Sequence, residues 1–266
     1  MSKAAIDAML PYMEEYYGNP SSLYAFGQQA KEALENARSR IAACLHADPR
    51  EVTFTSGGSE ADNQAIMTAA ALGMRRGKKH IVSTAFEHHA VLHTLEKLKK
   101  QGFEVTLLDV HNTGLVRPEQ VAEAIREDTC LVTIMYANNE IGTIQPVTEI
   151  GAICREKGVL FHTDAVQSFC HIPIDVKHMN IDLLSASSHK FHGPKGVGFM
   201  YVRDGLKINP FMDGGSQEKG LRAGTGNVPG VVGMVTAATK AYENMRRNVK
   251  YITFSHIEIY KKEDAK

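Results

Sequence analysis

The chain has 266 residues, with 30 Lys plus Arg against 30 Asp plus Glu and a formal net charge of zero. That balance excludes the basic excess of a nucleic-acid binder and the acidic excess of a disordered solvating chain, while 43% hydrophobic and 23% charged residues are ordinary for a globular protein. The length suits one large α/β domain or two small ones, no apolar run approaches the ~20 residues of a bilayer span, and the start Met1-Ser-Lys-Ala-Ala-Ile6 lacks a signal-peptide core, so a cytoplasmic location and no membrane partner are expected.

The first helix is expected over Ala4–Tyr17, with no strand before it. A second is expected over Gln28–Leu45, where Ala30, Ala33, Leu34, Ala37 and Ile41 recur at helical spacing. The turn at Asp48-Pro49 sets up a short strand, Glu51–Thr55, and Ser56-Gly57-Gly58-Ser59 opens a helix that reaches Met74. Then follow a strand over His80–Thr84, a helix over His88–Lys100 stopped by Gly102, and a strand over Phe103–Leu108. Pro118 starts a helix to Arg126, and the β-branched run Leu131–Met135 predicts a buried strand. A helix over Pro146–Lys157 precedes strands at Gly158–His162, Ile181–Ser185 and Gly196–Val202. The last helix is expected from Val231 to Arg247. Beyond it Val249–Phe254 alternates weakly, and a solvated or frayed tail is expected to Lys266. Repeated strand–helix alternation implies a mostly parallel sheet with helices on both faces. Ligands of such sheets bind beyond the carboxyl ends of the strands.

Chemistry is therefore sought just after each strand. Gly58 and Ser59 stand where a helix start would present N–H groups to an anion, though a plain glycine turn with a serine cap has the same pattern. His88 follows a strand and could stack on a flat ligand. His89 and His93 share a helix face but lack a third zinc ligand, so no metal is expected. Asn138 and Asn139 either bind ligand oxygens or cap a turn. Asp164 would cost desolvation unless a cation met it, and Lys190, beside Ser187 and His189, is either a solvated loop lysine or one that loses its proton and forms a Schiff base with an aldehyde. Cys44, Cys130, Cys154 and Cys170 have no CxxC spacing and read as small buried hydrophobes in a reducing compartment. An acid for a pyridinium nitrogen, a Schiff-base lysine and a phosphate cup together describe a pyridoxal 5'-phosphate site.

In these residues the sequence resembles the class V aminotransferases, and among them the NifS/IscS-type cysteine desulfurases. The matching stretches are Tyr17-Gly-Asn-Pro-Ser-Ser22, Phe54-Thr-Ser-Gly-Gly-Ser-Glu-Ala-Asp-Asn63, Glu87-His88, Asn138-Asn-Glu-Ile-Gly142, His162-Thr-Asp-Ala-Val-Gln167, Ser187-Ser-His-Lys190, Gly193-Pro-Lys-Gly196 and Arg222-Ala-Gly-Thr225. The resemblance implies the large domain of a type I pyridoxal-phosphate transferase over 1–247, with seven strands, and a divergent tail over 248–266. It implies that Lys190 holds the cofactor as a Schiff base and that Asp164 pairs with the pyridine nitrogen. His88 would stack on the ring and shuttle protons, with Gln167 and Asn139 near the phenolic oxygen and substrate. Gly58, Ser59, Ser187 and His189 would cradle the phosphate, and Thr225 would reach that of a neighbouring subunit, hence a homodimer. L-cysteine would be converted to alanine, with persulfide sulfur passed to an acceptor or scaffold protein for iron–sulfur cluster assembly or thio-modification. The family's opening Asn-Ala-Ala-Thr-Thr-like strand has no counterpart here, nor has its small C-terminal domain with the persulfide cysteine and carboxylate-binding arginine. A domain truncated at both ends, with little turnover, is expected. The alternatives are a non-catalytic remnant that binds the cofactor or a full-length partner, and another class V enzyme such as a selenocysteine lyase.

Overall fold

The computed structural model describes residues 1–263, with side chains through residue 250. Seven strands form one sheet: β1 (Val52–Thr55), β2 (His80–Thr84), β3 (Glu104–Leu108), β4 (Thr129–Thr133), β5 (Leu160–Asp164), β6 (Leu183–Ser187) and β7 (Gly198–Val202). Their spatial order is β1-β7-β6-β5-β4-β2-β3. The pairings among β3, β2, β4, β5 and β6 are parallel, whereas β7 runs antiparallel to both β6 and β1. The expected mostly parallel, seven-stranded sheet is therefore present, with β7 as its one reversed strand.

Among the described residues seven α-helices pack around it: α1 (Lys3–Glu14), α2 (Ala25–Leu45), α3 (Gly58–Met74), α4 (His89–Lys99), α5 (Pro118–Ala124), α6 (Val147–Glu156) and α7 (Val228–Glu263). Strand side chains alternate between the two faces, and here both faces are dry. Ile81, Leu131, Leu183 and Met200 join the core with Ala61, Ala65 and Ala69 of α3 and with Leu95 of α4. Val82, Val132, Phe161, Leu184 and Tyr201 join the opposite core with α2, α6 and α7. The small residues of α3 let that helix lie close against the sheet, which fixes where its first turn points.

Several boundaries differ from the sequence expectation, each for a local reason. Helix α1 stops at Glu14 rather than Tyr17, because the Glu15 and Tyr16 amides both turn back onto the Pro11 carbonyl. Strands β5 and β6 each start and end two residues later than expected, because their polar ends, Asp164 and Ser187, still belong to the ladder or its edge. Helix α7 continues past Arg247 to Glu263, so the expected alternation at Val249–Phe254 is helical backbone. Residues 264–266 of the expected tail lie outside the described residues.

The edge strand β1 is closed by an ion pair. Arg38 of α2 donates to both carboxylate oxygens of Glu218, at 2.7 and 2.9 Å, and to the Val52 carbonyl at 2.8 Å. Glu218 also accepts the Phe54 amide at 2.9 Å. Two groups on an otherwise open strand edge are thus satisfied, and the segment before α7 is anchored beside the strand exits. A second close fit lies at Gly198, where an added Cβ would stand 2.4 Å from the Ala186 oxygen and 2.8 Å from Gly57 Cα. Gly198→Ala is expected to lower stability by about 1–3 kcal/mol, as overpacking does. The urea unfolding midpoint measures it, and an unchanged midpoint would show that β7 has room the packing denies.

Candidate active site

The carboxyl ends of β5 and β6 and the amino end of α3 converge on a cavity of about 490 Å³. Of the residues singled out from sequence, Gly58, Ser59, His88, Asn139, Asp164, Gln167, Ser187, His189 and Lys190 all line it. Thr225 does not. It lies in the segment before α7, between Gly224 and Gly226, which border a separate cavity of about 340 Å³. Lys190 and Asp164 face the same space rather than opposite sides of the sheet.

Each side chain owes its place to an element. Gly57 caps α3, so the first amides of that helix are free to meet an anion. Glu60 turns back to accept the Ser56 amide at 2.8 Å and pairs with Arg222 at 2.9 Å. Burial alone would raise the Glu60 pKa, but the bonds from Arg222 and Ser56 outweigh it and hold the carboxylate below its usual range. The cup wall is therefore not left with an unanswered negative charge. Ser187 closes β6, and its hydroxyl lies 2.9 Å from His189 Nδ1. Burial, then the charges of Lys190 and Lys195, push the His189 pKa down, so the ring favours its neutral form. Lys190 rides on the 3-10 turn Ser188–Phe191 that follows.

Asp164 ends β5 and is buried, at 4% exposure. Its Oδ1 accepts the Val166 amide at 2.8 Å. Burial raises its pKa, while that bond first, and then His88 and Lys190 nearby, pull it back down. A dry carboxyl in this position is poised for a cationic partner. His88 caps α4: its Nδ1 accepts the Ala90 amide at 3.1 Å, which leaves Nε2 as the ring's proton-bearing nitrogen. The two asparagines divide the roles the sequence left open. Asn138 Oδ1 takes the amides of Glu140 and Ile141 and so caps a turn, whereas Asn139 borders the cavity.

Among the lining residues not singled out from sequence are Asp62, Met135 and Lys195. Asp62 follows Gly58 by four residues, one helical turn, so the helix period carried a signal for it. Lys195 stood in the Gly193-Pro-Lys-Gly196 run. Nothing in its strand pattern marked Met135. His89 and His93 stack at 5.2 Å, and among the described residues no three His, Cys, Asp or Glu side chains gather as metal ligands. All four cysteines lie outside the cavity lining. Burial pushes the Cys44 and Cys130 thiols up to about 11, and those of Cys154 and Cys170 higher still, so none is a ready thiolate. Among the described residues no helix is long and apolar enough to cross a membrane.

Glu87 underlies the pocket. Both of its carboxylate oxygens lie 3.0 Å from the Met135 amide, and the Thr84 hydroxyl donates to Oε1 at 2.8 Å. It thereby ties the approach to His88 to the end of β4. Burial pushes its pKa up to about 8. Between about pH 4 and about pH 8 the unfolded chain has lost a proton that folded Glu87 keeps, so rising pH lowers stability through this group by up to about 1.4 kcal/mol per unit. Above about pH 8 the effect levels off. Glu87→Gln is therefore expected to gain stability relative to the unsubstituted chain as pH rises through that window. Urea unfolding at a series of pH values checks this, and a difference that does not change with pH would contradict it.

The family model for class-V aminotransferases matches residues 1–255. Cysteine desulfurase IscS of Methanosarcina thermophila is 53% identical over 250 residues, which are 93% of this chain and 62% of that protein. The chain thus spans about three fifths of that relative's length. Among solved structures, a NifS-like protein superposes with a TM-score of 0.95 at 40% identity, covering 98% of this chain and 72% of that one. SspA in complex with cysteine superposes with a TM-score of 0.87 at 43% identity, covering 90% of this chain and 69% of that one.

Proposed function

The chain belongs to the class-V aminotransferase family, and we propose that it binds pyridoxal 5'-phosphate and serves as the cofactor-holding part of a cysteine desulfurase. The observation that carries this reading is the shared cavity of Lys190 and Asp164, an amine and a buried acid facing one space. The residues fit the cofactor. A Cβ on Gly58 would lie 2.6 Å from Cγ2 of Val166, another lining residue, so a larger residue there would crowd that wall. Hydroxyls of Ser59 and Ser187 and the first amides of α3 supply donors for a phosphate, and Asp164 supplies the acceptor for a protonated ring nitrogen.

When bound, the cofactor supplies an electron sink for negative charge at the substrate's α-carbon. In this reading Lys190 Nζ would hold the aldehyde carbon and would supply the base for the substrate's α-proton. Asp164 would keep a proton on the ring nitrogen, His88 would pack against the ring, and Asn139 and Gln167 would bind polar atoms of ring and substrate. Ser59, Ser187 and His189 hold the phosphate. The sulfur-accepting thiolate is not one of Cys44, Cys130, Cys154 or Cys170, given their burial and raised pKa values. It comes from other residues or another chain. The same reading includes L-cysteine as substrate, a sulfur acceptor serving iron–sulfur assembly or thio-modification, and a cytoplasmic setting. It also includes a homodimer, supported by Thr225 lying outside its own chain's cavity lining.

Borohydride reduction in the presence of pyridoxal phosphate is expected to leave one adduct, at Lys190, by peptide mass analysis. Lys190→Ala should abolish it, and an adduct on another lysine would overturn the reading. Asp164→Ala is expected to weaken cofactor binding by about 10- to 150-fold, the worth of one charged hydrogen bond. Equilibrium titration measures this, and unchanged affinity would remove Asp164 from the site.

A further inference from the structure

Below Asp164 lies a second acid that the proposed chemistry does not use. Asp62 of α3 is 1% exposed, and its Oδ1 has no hydrogen-bond partner among the described residues. The nearest basic atom, His162 Nε2 of β5, is 3.6 Å away, too far for a hydrogen bond. That ring cannot serve as a cation either. Burial pushes its pKa down to about 3, and its two nitrogens already lie 2.8 Å from the Thr133 hydroxyl and 3.0 Å from that of Ser185.

Other groups reach Asp62 from each element around it. Asp164 faces it from the end of β5, Glu87 from the turn before α4, and the Ser185 hydroxyl from β6. His88 and Lys190 line the same cavity and favour the ionised form of Asp164. Two carboxyls in one dry site do not both ionise without a cation between them. Asp164 has what an anion requires: the Val166 amide at 2.8 Å and positive charge nearby. Asp62 Oδ1 has neither. Burial first, and the facing Asp164 second, drive its pKa far up, while Ser185 opposes them.

We propose that Asp62 is a positioning residue for Asp164, held in the fold as a neutral carboxylic acid so that the one negative charge beneath the pocket sits on Asp164. This rests on the proposed cofactor site in its purpose but not in its chemistry, since the proton belongs to the folded chain itself. Asp62 forms the polar floor of the cavity without competing for the ring's cationic nitrogen.

Infrared difference spectroscopy of the cofactor-free chain near neutral pH tests this directly. A protonated-carboxyl band is expected that Asp62→Asn removes. Glu87→Gln identifies the separate band of Glu87. Carbon-13 labelling of aspartate carboxyls in the unsubstituted chain must shift the first band and not the second, and Asp164→Asn must leave the first band in place, results available even if Asp62→Asn fails to fold. Loss of carboxylate intensity instead of the acid band in Asp62→Asn would overturn the proposal, as would an acid band untouched by the aspartate label. In the chain loaded with pyridoxal phosphate, the pH titration of the visible absorbance should agree between Asp62→Asn and the unsubstituted protein to within about 0.3 unit. Removing a true neighbouring charge moves such a titration by about one unit or more, and that shift would also overturn it. If the unsubstituted chain takes up no pyridoxal phosphate, the functional reading fails while the infrared result still decides the state of Asp62.

Discussion

A carboxyl at a dry strand exit must be met either by a positive charge or by a proton, and the pocket is organised around that requirement. Three acids crowd beneath it: Asp62, Glu87 and Asp164, all buried. Glu87 is answered by an amide and a hydroxyl, which fasten it to the end of β4. Asp164 has one amide donor and faces the cavity, where His88 and Lys190 also stand. Its remaining need is for a cation from the ligand. A ring with a protonated nitrogen would meet that need, and in the proposed reading Lys190, in the same cavity, would capture such a ring's aldehyde.

The fold brings these groups together through the direction of its strands. Parallel β4, β5 and β6 all end on one edge, so the residues that leave them share a space. The reversed strand β7 closes that edge, with Gly198 packed against Gly57 at the mouth of the cup. The Arg38–Glu218 pair seals the outer strand and anchors the segment that bears Arg222. Arg222 in turn pairs with Glu60, an acid in the first turn of α3 where a phosphate would sit. Core packing, edge closure and site electrostatics are therefore linked through a small set of side chains.

Much of this was legible in the sequence, because apolar runs and glycine turns mark buried parallel strands and helix starts. Asp164, Lys190 and the Gly58-Ser59 pair stand at or just past strand ends, where such a sheet presents its ligand-facing residues. The limits of β5 and β6 were misplaced for the same physical reason that makes them useful. Asp164 and Ser187 are polar residues at the ends of strands, and an apolar-run criterion stops short of them. Asp62 was passed over because one acid in a helix reads as surface, and only the tertiary packing of α3 makes it dry. The roles of Asn138 and Asn139 could not be separated until the turn they share was seen. Thr225 carries no local signal of its own and stands outside the cavity lining in a single chain.

The central claim is that Asp164 and Lys190 grip opposite parts of one ring. A crystal structure of the chain soaked with pyridoxal phosphate tests it most directly. Density should join Lys190 Nζ to the ligand, with the ring nitrogen at hydrogen-bond distance from the Asp164 carboxylate and the phosphate at the start of α3. A ligand bound instead in the cavity beside Arg38 and Glu218, or one with its ring turned away from Asp164, would contradict the account.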